Sequence, residues 1–131
     1  MRILSDTNVL IASMIARGVC HELIESCFVN HELIVSEFIL DELKENLVKK
    51  FKYTAETSDE AVHLFRSRME IVIPASLAAP VSRDADDDNI LAAAVAGKCD
   101  IIISGDKDLL VLQQFEDIPI LSPRQFMDMS A

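Results

Sequence analysis

Residues 84–110 read DADDDNILAAAVAGKCDIIISGDKDLL. The stretch holds seven aspartates, and six of them, Asp84, Asp86, Asp87, Asp88, Asp106 and Asp108, stand in two groups, with Asp100 alone before an apolar run. An alanine-rich helical segment and the wholly apolar run Ile101, Ile102, Ile103 lie between them. Carboxylates crowded at the start of a helix and the end of a buried strand raise one another's pKa unless a cation joins them. A divalent metal site is the simplest arrangement that relieves the repulsion. Asp6, far away in the chain, also ends an apolar run, so the question is whether these acids meet.

Outward from this stretch, short apolar runs alternate with helical patterns. Strands are expected at residues 2–5, 33–35, 71–73, 101–104 and 118–121. Helices are expected at 9–16, 19–29, 36–50, 57–69, 87–96 and 106–114, with a last helical turn from Pro123. Ser36 reads as an N-cap, and Thr57 to Glu60 has the form of a capping box. Gly97 reads as the glycine just past a helix end. Such alternation predicts an α/β fold in three layers, with a central parallel sheet of about five short strands flanked by helices. In open parallel sheets, sites form at the carboxyl ends of strands. Asp6 follows the first strand and Asp106 the fourth, so both belong at that edge.

The 131 residues predict a single domain with one core. No apolar stretch reaches the roughly 20 residues of a membrane span, and no signal-peptide pattern is read at the N-terminus. The three cysteines, Cys20, Cys27 and Cys99, form no CxxC pair, which fits free thiols in a reducing cytoplasm. The formal net charge of −10 argues against a broad, nonspecific grip on DNA phosphates. It permits a site where cations cancel local charge, or a basic partner protein.

Helical phase sorts the remaining acids. In the helix after Ser36, Phe38, Ile39, Leu43 and Leu47 form the apolar stripe. Glu42 falls on that stripe, while Glu37, Asp41, Lys44 and Glu45 fall opposite. An inward acid needs a partner, either a metal or a structural donor. In the helix after Asp86, the stripe is Ile90, Leu91, Ala94 and Val95. Asp87 and Asp88 both lie at helical spacing from it, and both also suit the positive end of a helix dipole. Gly105, between Ser104 and Asp106, allows a sharp turn. Asp108 reads as an ordinary first-turn acid. Asn8 is placed either to orient a water or phosphate, or to cap the following helix.

Taken in order, the blocks are Asp6-Thr7-Asn8-Val9-Leu10, then Ser36 with Ile39-Leu40-Asp41-Glu42-Leu43. Arg83-Asp84-Ala85-Asp86-Asp87 with Leu91-Ala92-Ala93-Ala94 follows, then Ile102-Ile103-Ser104-Gly105-Asp106-Lys107-Asp108-Leu109-Leu110. Each block alone is a weak signal. Together, over nearly the whole chain, they resemble the PIN domain family, and within it the toxin components of toxin–antitoxin pairs akin to VapC. The resemblance implies a metal-dependent ribonuclease. It maps the family's acids onto Asp6, Glu42, Asp87 and Asp106, with Asp88 the rival to Asp87. Ala85 stands where the family often has proline, a departure expected to alter loop stiffness rather than chemistry.

The resemblance further implies one or two Mg²⁺ or Mn²⁺ ions, held by Asp6, Asp87, Asp106 and Asp88, with Glu42 managing the attacking water. It implies an RNA substrate, a product with a 5′-phosphate, a cognate antitoxin and a homodimer. Asn8, Ser104 and Lys107, beside the acids, are the candidate substrate-binding residues. Arg83 is placed to hold phosphate or to pair with surface acids. Lys49-Lys50-Phe51-Lys52-Tyr53 alternates charge with rings able to stack on unpaired bases, but also reads as a solvated helix end with core aromatics. His21, His31 and His63 show no metal-ligand spacing.

Other classes fit less well. A phosphorelay receiver domain needs an acid pair after its first strand and an aspartate ending its third. Here the first strand supplies Asp6 alone, and Ile73 runs into Pro74. A nucleotide-binding loop needs clustered glycines, and the chain has only Gly18, Gly97 and Gly105. A non-catalytic RNA- or protein-binding domain on the same fold would not require complete acidic blocks.

Overall fold

In the computed structural model, Ile3, Leu4 and Val35 are fully or almost fully buried, as are Ile102 and Ile103. Strands made of such residues are sealed on both faces, which is why they read as continuous apolar runs rather than alternating ones. The structure describes every residue except Ala78, Ser82, Arg83 and Ala131, together with the side chain of Ser130. The expectation for Arg83 therefore lies outside the described residues.

The chain runs β1 (Arg2–Ser5), α1 (Thr7–Ile15), α2 (Val19–Asn30), β2 (Glu32–Val35), α3 (Glu37–Phe51) and α4 (Ala55–Arg68). It continues with β3 (Glu70–Ile71), α5 (Ala85–Ala96), β4 (Ile101–Ile103), α6 (Lys107–Leu110), β5 (Gln114–Phe115), β6 (Ile118–Leu121) and α7 (Pro123–Ser130). The sheet order is β3-β2-β1-β4-β6-β5. All pairings are parallel except β5 with β6. From β1 the chain steps outward through β2 to β3, then crosses back to β4 on the other side of β1. The crevice at the carboxyl ends of β1 and β4 is therefore the topological switch point, the place where open parallel sheets bind ligands. No helix among the described residues is long and apolar enough to cross a membrane.

Several element ends differ from the sequence reading. The sheet gains a sixth strand, β5, because Glu116 (φ 47°) and Asp117 (φ 68°) both turn left-handed and form a two-residue hairpin loop. That hairpin takes Gln114, leaving α6 only four residues. β3 stops at Ile71. It is the edge strand, and Ile73 is 89% exposed as the chain leaves the sheet before Pro74. Thr54, not Thr57, caps α4, accepting the Thr57 N–H at 3.1 Å. The earlier start adds a turn and buries Ser58. Likewise Asp84 caps α5, two residues ahead of the expected start, accepting the Asp86 N–H at 2.9 Å.

Gly97 does not carry a positive φ. It sits at φ −81°, and the left-handed residue is Lys98 at φ 50°. Its need for glycine is steric. A Cβ there would lie 2.7 Å from Ile34 Cγ2 and 3.2 Å from Cys99 Sγ. The close approach lets α5 turn into β4 against the core.

Candidate active site

Asp6 begins the site because the strand pairing puts it there. Ser5 pairs with Ile103, and the Asp6 N–H donates to the Ile103 carbonyl at 3.0 Å. Asp6 then caps α1, its Oδ1 accepting the Val9 N–H at 3.0 Å. Its Oδ2 accepts from the Ser104 hydroxyl at 2.5 Å. The cap is thus Asp6, and Asn8 instead stands exposed at the rim of the cleft. Ser104 Oγ also accepts the Asp106 N–H at 2.9 Å, and Asp106 Oδ1 accepts the Asp108 N–H at 2.8 Å. One serine therefore links the acid after β1 to the acid after β4.

Asp6, Thr7, Asn8, Glu42, Asn46, Lys50, Asp84, Asp86, Asp87, Ile90 and Asp106 line one cleft of about 280 Å³. The sheet edge supplies Asp6 and Asp106, α3 supplies Glu42, and the first turn of α5 supplies Asp87. The four acids predicted from the sequence thus share one cavity. A larger depression, about 550 Å³, lies between α1, α2 and α4. Among the described residues it has Glu25 as its one carboxylate and Phe28, Leu64 and Phe65 in its walls, so it lacks this chemistry.

Burial pushes the Asp6 carboxyl above its ordinary range, and the charge of Asp106 adds to the rise. The Ser104 hydroxyl and the N–H groups of Val9 and Gly105 oppose it. Glu42 is likewise raised, first by burial and then by Asp86 and Asp6, with the Thr7 hydroxyl opposing. Thr7 donates to Glu42 Oε1 in a short hydrogen bond. The Cys20 thiol is raised by burial and by Asp6, so it stays protonated.

Three candidates are placed differently from the sequence reading. Ser104 is fully buried, and its hydroxyl is engaged with Asp6 and Asp106. Asp88 receives the Val81 N–H at 3.2 and 3.3 Å and lines a separate depression with Leu77 and Pro80. It is not among the described residues lining the cleft, whereas Asp87 is buried within it. Lys107 is exposed and is not among the described residues lining the cleft. The segment 49–53 is divided. Lys50 lines the cleft, Lys49 pairs with Glu45 at 2.8 Å, Phe51 is exposed, and Tyr53 packs against the core.

The sequence reading missed Asp108. Asp87, Asp106 and Asp108 each offer a carboxylate oxygen, and these oxygens lie within 4.8 Å of one another. The signal was the two-residue spacing of Asp106 and Asp108, since an aspartate N-cap draws in the backbone of the second residue after it. An all-carboxylate donor set of this size suits a hard divalent cation such as Mg²⁺ or Mn²⁺, and a soft metal would want thiolate. The donor set therefore fits the implied ion.

Known proteins share this arrangement of chain. A chain of the VapBC2 structure from Rickettsia felis, bound to a DNA fragment from their promoter, matches with TM-score 0.65 at 16% identity, covering 93% of this chain and 98% of that one. VapBC-1 from nontypeable Haemophilus influenzae matches with TM-score 0.66 at 19% identity, covering 95% and 99%. The PIN domain endonuclease Utp24 matches with TM-score 0.54 at 20% identity, covering 92% and 84%. At these identities the likeness is one of fold. No curated protein sequence matches this chain. The family model described as PIN domain matches residues 2–108, from the first residue of β1 through Asp108. With that match spanning the sheet edge and every acid of the cleft, the chain belongs to the PIN domain family.

Proposed function

We propose that this protein is a divalent-metal-dependent endoribonuclease that hydrolyses RNA phosphodiester bonds, and that it is the toxin of a toxin–antitoxin pair acting in the cytoplasm. The observation that carries the reading is the carboxylate group of Asp87, Asp106 and Asp108, closed to within 4.8 Å beside Asp6 at the switch point of the sheet. The VapBC likenesses support an antitoxin partner. Self-association as a homodimer follows from the family resemblance.

Asp6, Asp87, Asp106 and Asp108 are the residues that would hold Mg²⁺ or Mn²⁺. When bound, the ion supplies charge neutralisation at the phosphate and lowers the pKa of a coordinated water. Asp6 is fixed by two donors before any ligand arrives, so its ordering cost is met on folding. Glu42, with its carboxyl raised, is suited to accept the proton of the attacking water, because a base works best when its pKa approaches the working pH. Thr7 holds its carboxylate in place. The water oxygen bonds to phosphorus as the bond to the 3′-oxygen breaks. The products are a 5′-phosphate and a 3′-hydroxyl, which takes up a proton.

The test is cleavage of a panel of labelled single-stranded and structured RNAs in Mg²⁺ or Mn²⁺, comparing the wild type with Asp6→Asn. Cleavage lost both in the variant and in chelator is the expected result. Equal cleavage by both proteins, or no cleavage of any RNA in the panel, would contradict the proposal.

A further inference from the structure

α3 sets three polar residues in a row along the cleft: Glu42, Asn46 and Lys50, each four residues from the next. Four-residue spacing on a helix gives one ridge, and eight residues at 1.5 Å rise span about 12 Å. Side chains on a helix lean toward its N-terminus, so the lysine stem leans back along the ridge toward Asn46 and Glu42. Among the described residues, Lys50 is the one cation lining the cleft. The two other lysines of α3 are engaged in ion pairs outside the cleft. Lys44 pairs with Asp59 at 2.6 Å and Lys49 with Glu45 at 2.8 Å.

The opposite wall has the reverse character. The first turn of α5 and its cap present Asp84, Asp86 and Asp87. A polyanionic strand is repelled there beyond the reach of a bound cation, in a protein whose net charge is −10. The two walls thus form a one-sided field, with acid along α5 and an amide then a cation along α3.

We propose that Asn46 and Lys50 hold a backbone phosphate of the nucleic-acid strand next to the scissile bond, so that the strand leaves the acids along α3. This rests on reading the cleft as a nuclease centre. The Asn46 amide donates to a phosphate oxygen, and the Lys50 ammonium supplies the countercharge. Both contacts are to backbone, so they position the strand without reading its sequence. The bland role for Lys50 is that of a solvated cation at a helix C-terminus, where it favours the dipole and touches nothing. That role predicts a small loss of stability and no effect on binding.

The experiment measures anisotropy of a fluorescent single-stranded RNA over a range of salt concentrations, in Ca²⁺ in place of Mg²⁺, with RNA integrity checked on a gel. Wild type is compared with Lys50→Gln, Lys50→Arg, Asn46→Ala and the charge-matched control Lys49→Gln. Loss of one phosphate contact lowers the slope of log K against log salt by about 0.7 for a single strand. The expected result is that slope change in Lys50→Gln with about tenfold weaker binding, largely rescued in Lys50→Arg. Asn46→Ala should weaken binding with the slope unchanged, and Lys49→Gln should match wild type. In the cleavage assay Lys50→Gln should raise KM more than it lowers kcat, by the same factor for different RNA sequences.

Wild-type slope and affinity in Lys50→Gln would overturn the proposal. So would an equal slope change in Lys49→Gln, which would indicate the general field of the helix end. If wild type cleaves RNA while Lys50→Gln is indistinguishable from it, only this proposal fails. If wild type neither binds nor cleaves, the nuclease reading fails with it.

Discussion

The Ser104 hydroxyl donates to Asp6 Oδ2 at 2.5 Å, joining residues 98 apart in the sequence at the carboxyl edge of the sheet. The same oxygen accepts the Asp106 N–H, so one buried group aligns two acids of the cleft. In Ser104→Ala both partners lose it. The expected cost is about 1–3 kcal/mol, the usual penalty for stranding a buried polar group. The Asp6 carboxyl should also rise further, since the serine is the largest influence holding it down. Chemical denaturation and a pH titration of metal binding check both. Stability equal to wild type would mean the hydrogen bond is idle.

Asp108 gives a second prediction. Its carboxylate oxygen shares a 4.8 Å space with those of Asp87 and Asp106. In chelator, Asp108→Asn removes a like charge and should melt at or above the wild-type temperature. In excess Mn²⁺ the order should reverse, because an ion bound only by the folded state at one hundred times its Kd adds about 2.7 kcal/mol. Melting curves with and without Mn²⁺ decide it. A lower melting temperature for the variant under both conditions would give Asp108 a purely structural role.

Much of this site was legible because strand order and helix phase act over many residues. Asp6 and Asp106 each end an apolar run, and a parallel sheet brings such ends to one edge. Glu42 was legible because it interrupts the stripe of Ile39, Leu43 and Leu47, all buried. Asp87 and Asp88 were not separable by phase, since both lie at helical spacing from Leu91. Only the burial of Asp87 in the cleft and the Val81 N–H on Asp88 divide them. Asp108 was set aside because a first-turn acid already has a dipole explanation. The β5–β6 hairpin was missed because Glu116 and Asp117 are not the asparagine–glycine pair that usually marks a left-handed turn.

The raised carboxyls of Asp6 and Glu42 fix a pH dependence. An acid whose pKa is higher in the folded state holds its proton more tightly there. It therefore stabilises the metal-free fold below its ordinary pKa, and this contribution is lost as pH rises through the raised value. Glu37 and Glu70 are held low by Arg66 and Arg2, and their contribution is lost only as pH falls through their lowered values. In chelator, melting temperature should thus climb as pH falls from neutral toward the ordinary carboxylate range, then drop at stronger acid. Metal binding should weaken over the same climb, since ligands must be ionised. A metal-free melting temperature that falls steadily from neutral pH downward would refute this assignment.

Gly97→Ala tests the packing that carries α5 into β4. The new Cβ would sit 2.7 Å from Ile34 Cγ2, on a β-branched side chain buried beneath the sheet's neighbours. Neither partner moves cheaply, so the expected loss is about 1–3 kcal/mol. Denaturant midpoints measure it. A neutral substitution would show that the helix end has slack.

The central claim is that three separated parts of the chain build one divalent-cation centre. Calorimetric titration of Mn²⁺ into the purified protein tests it most directly, with Asp6→Asn, Asp87→Asn and Asp106→Asn beside the wild type. The account predicts saturable binding of one or two ions per chain, weakened at least tenfold in each variant while each remains folded. No saturable binding by wild type, or binding that all three variants retain at full strength, would contradict it.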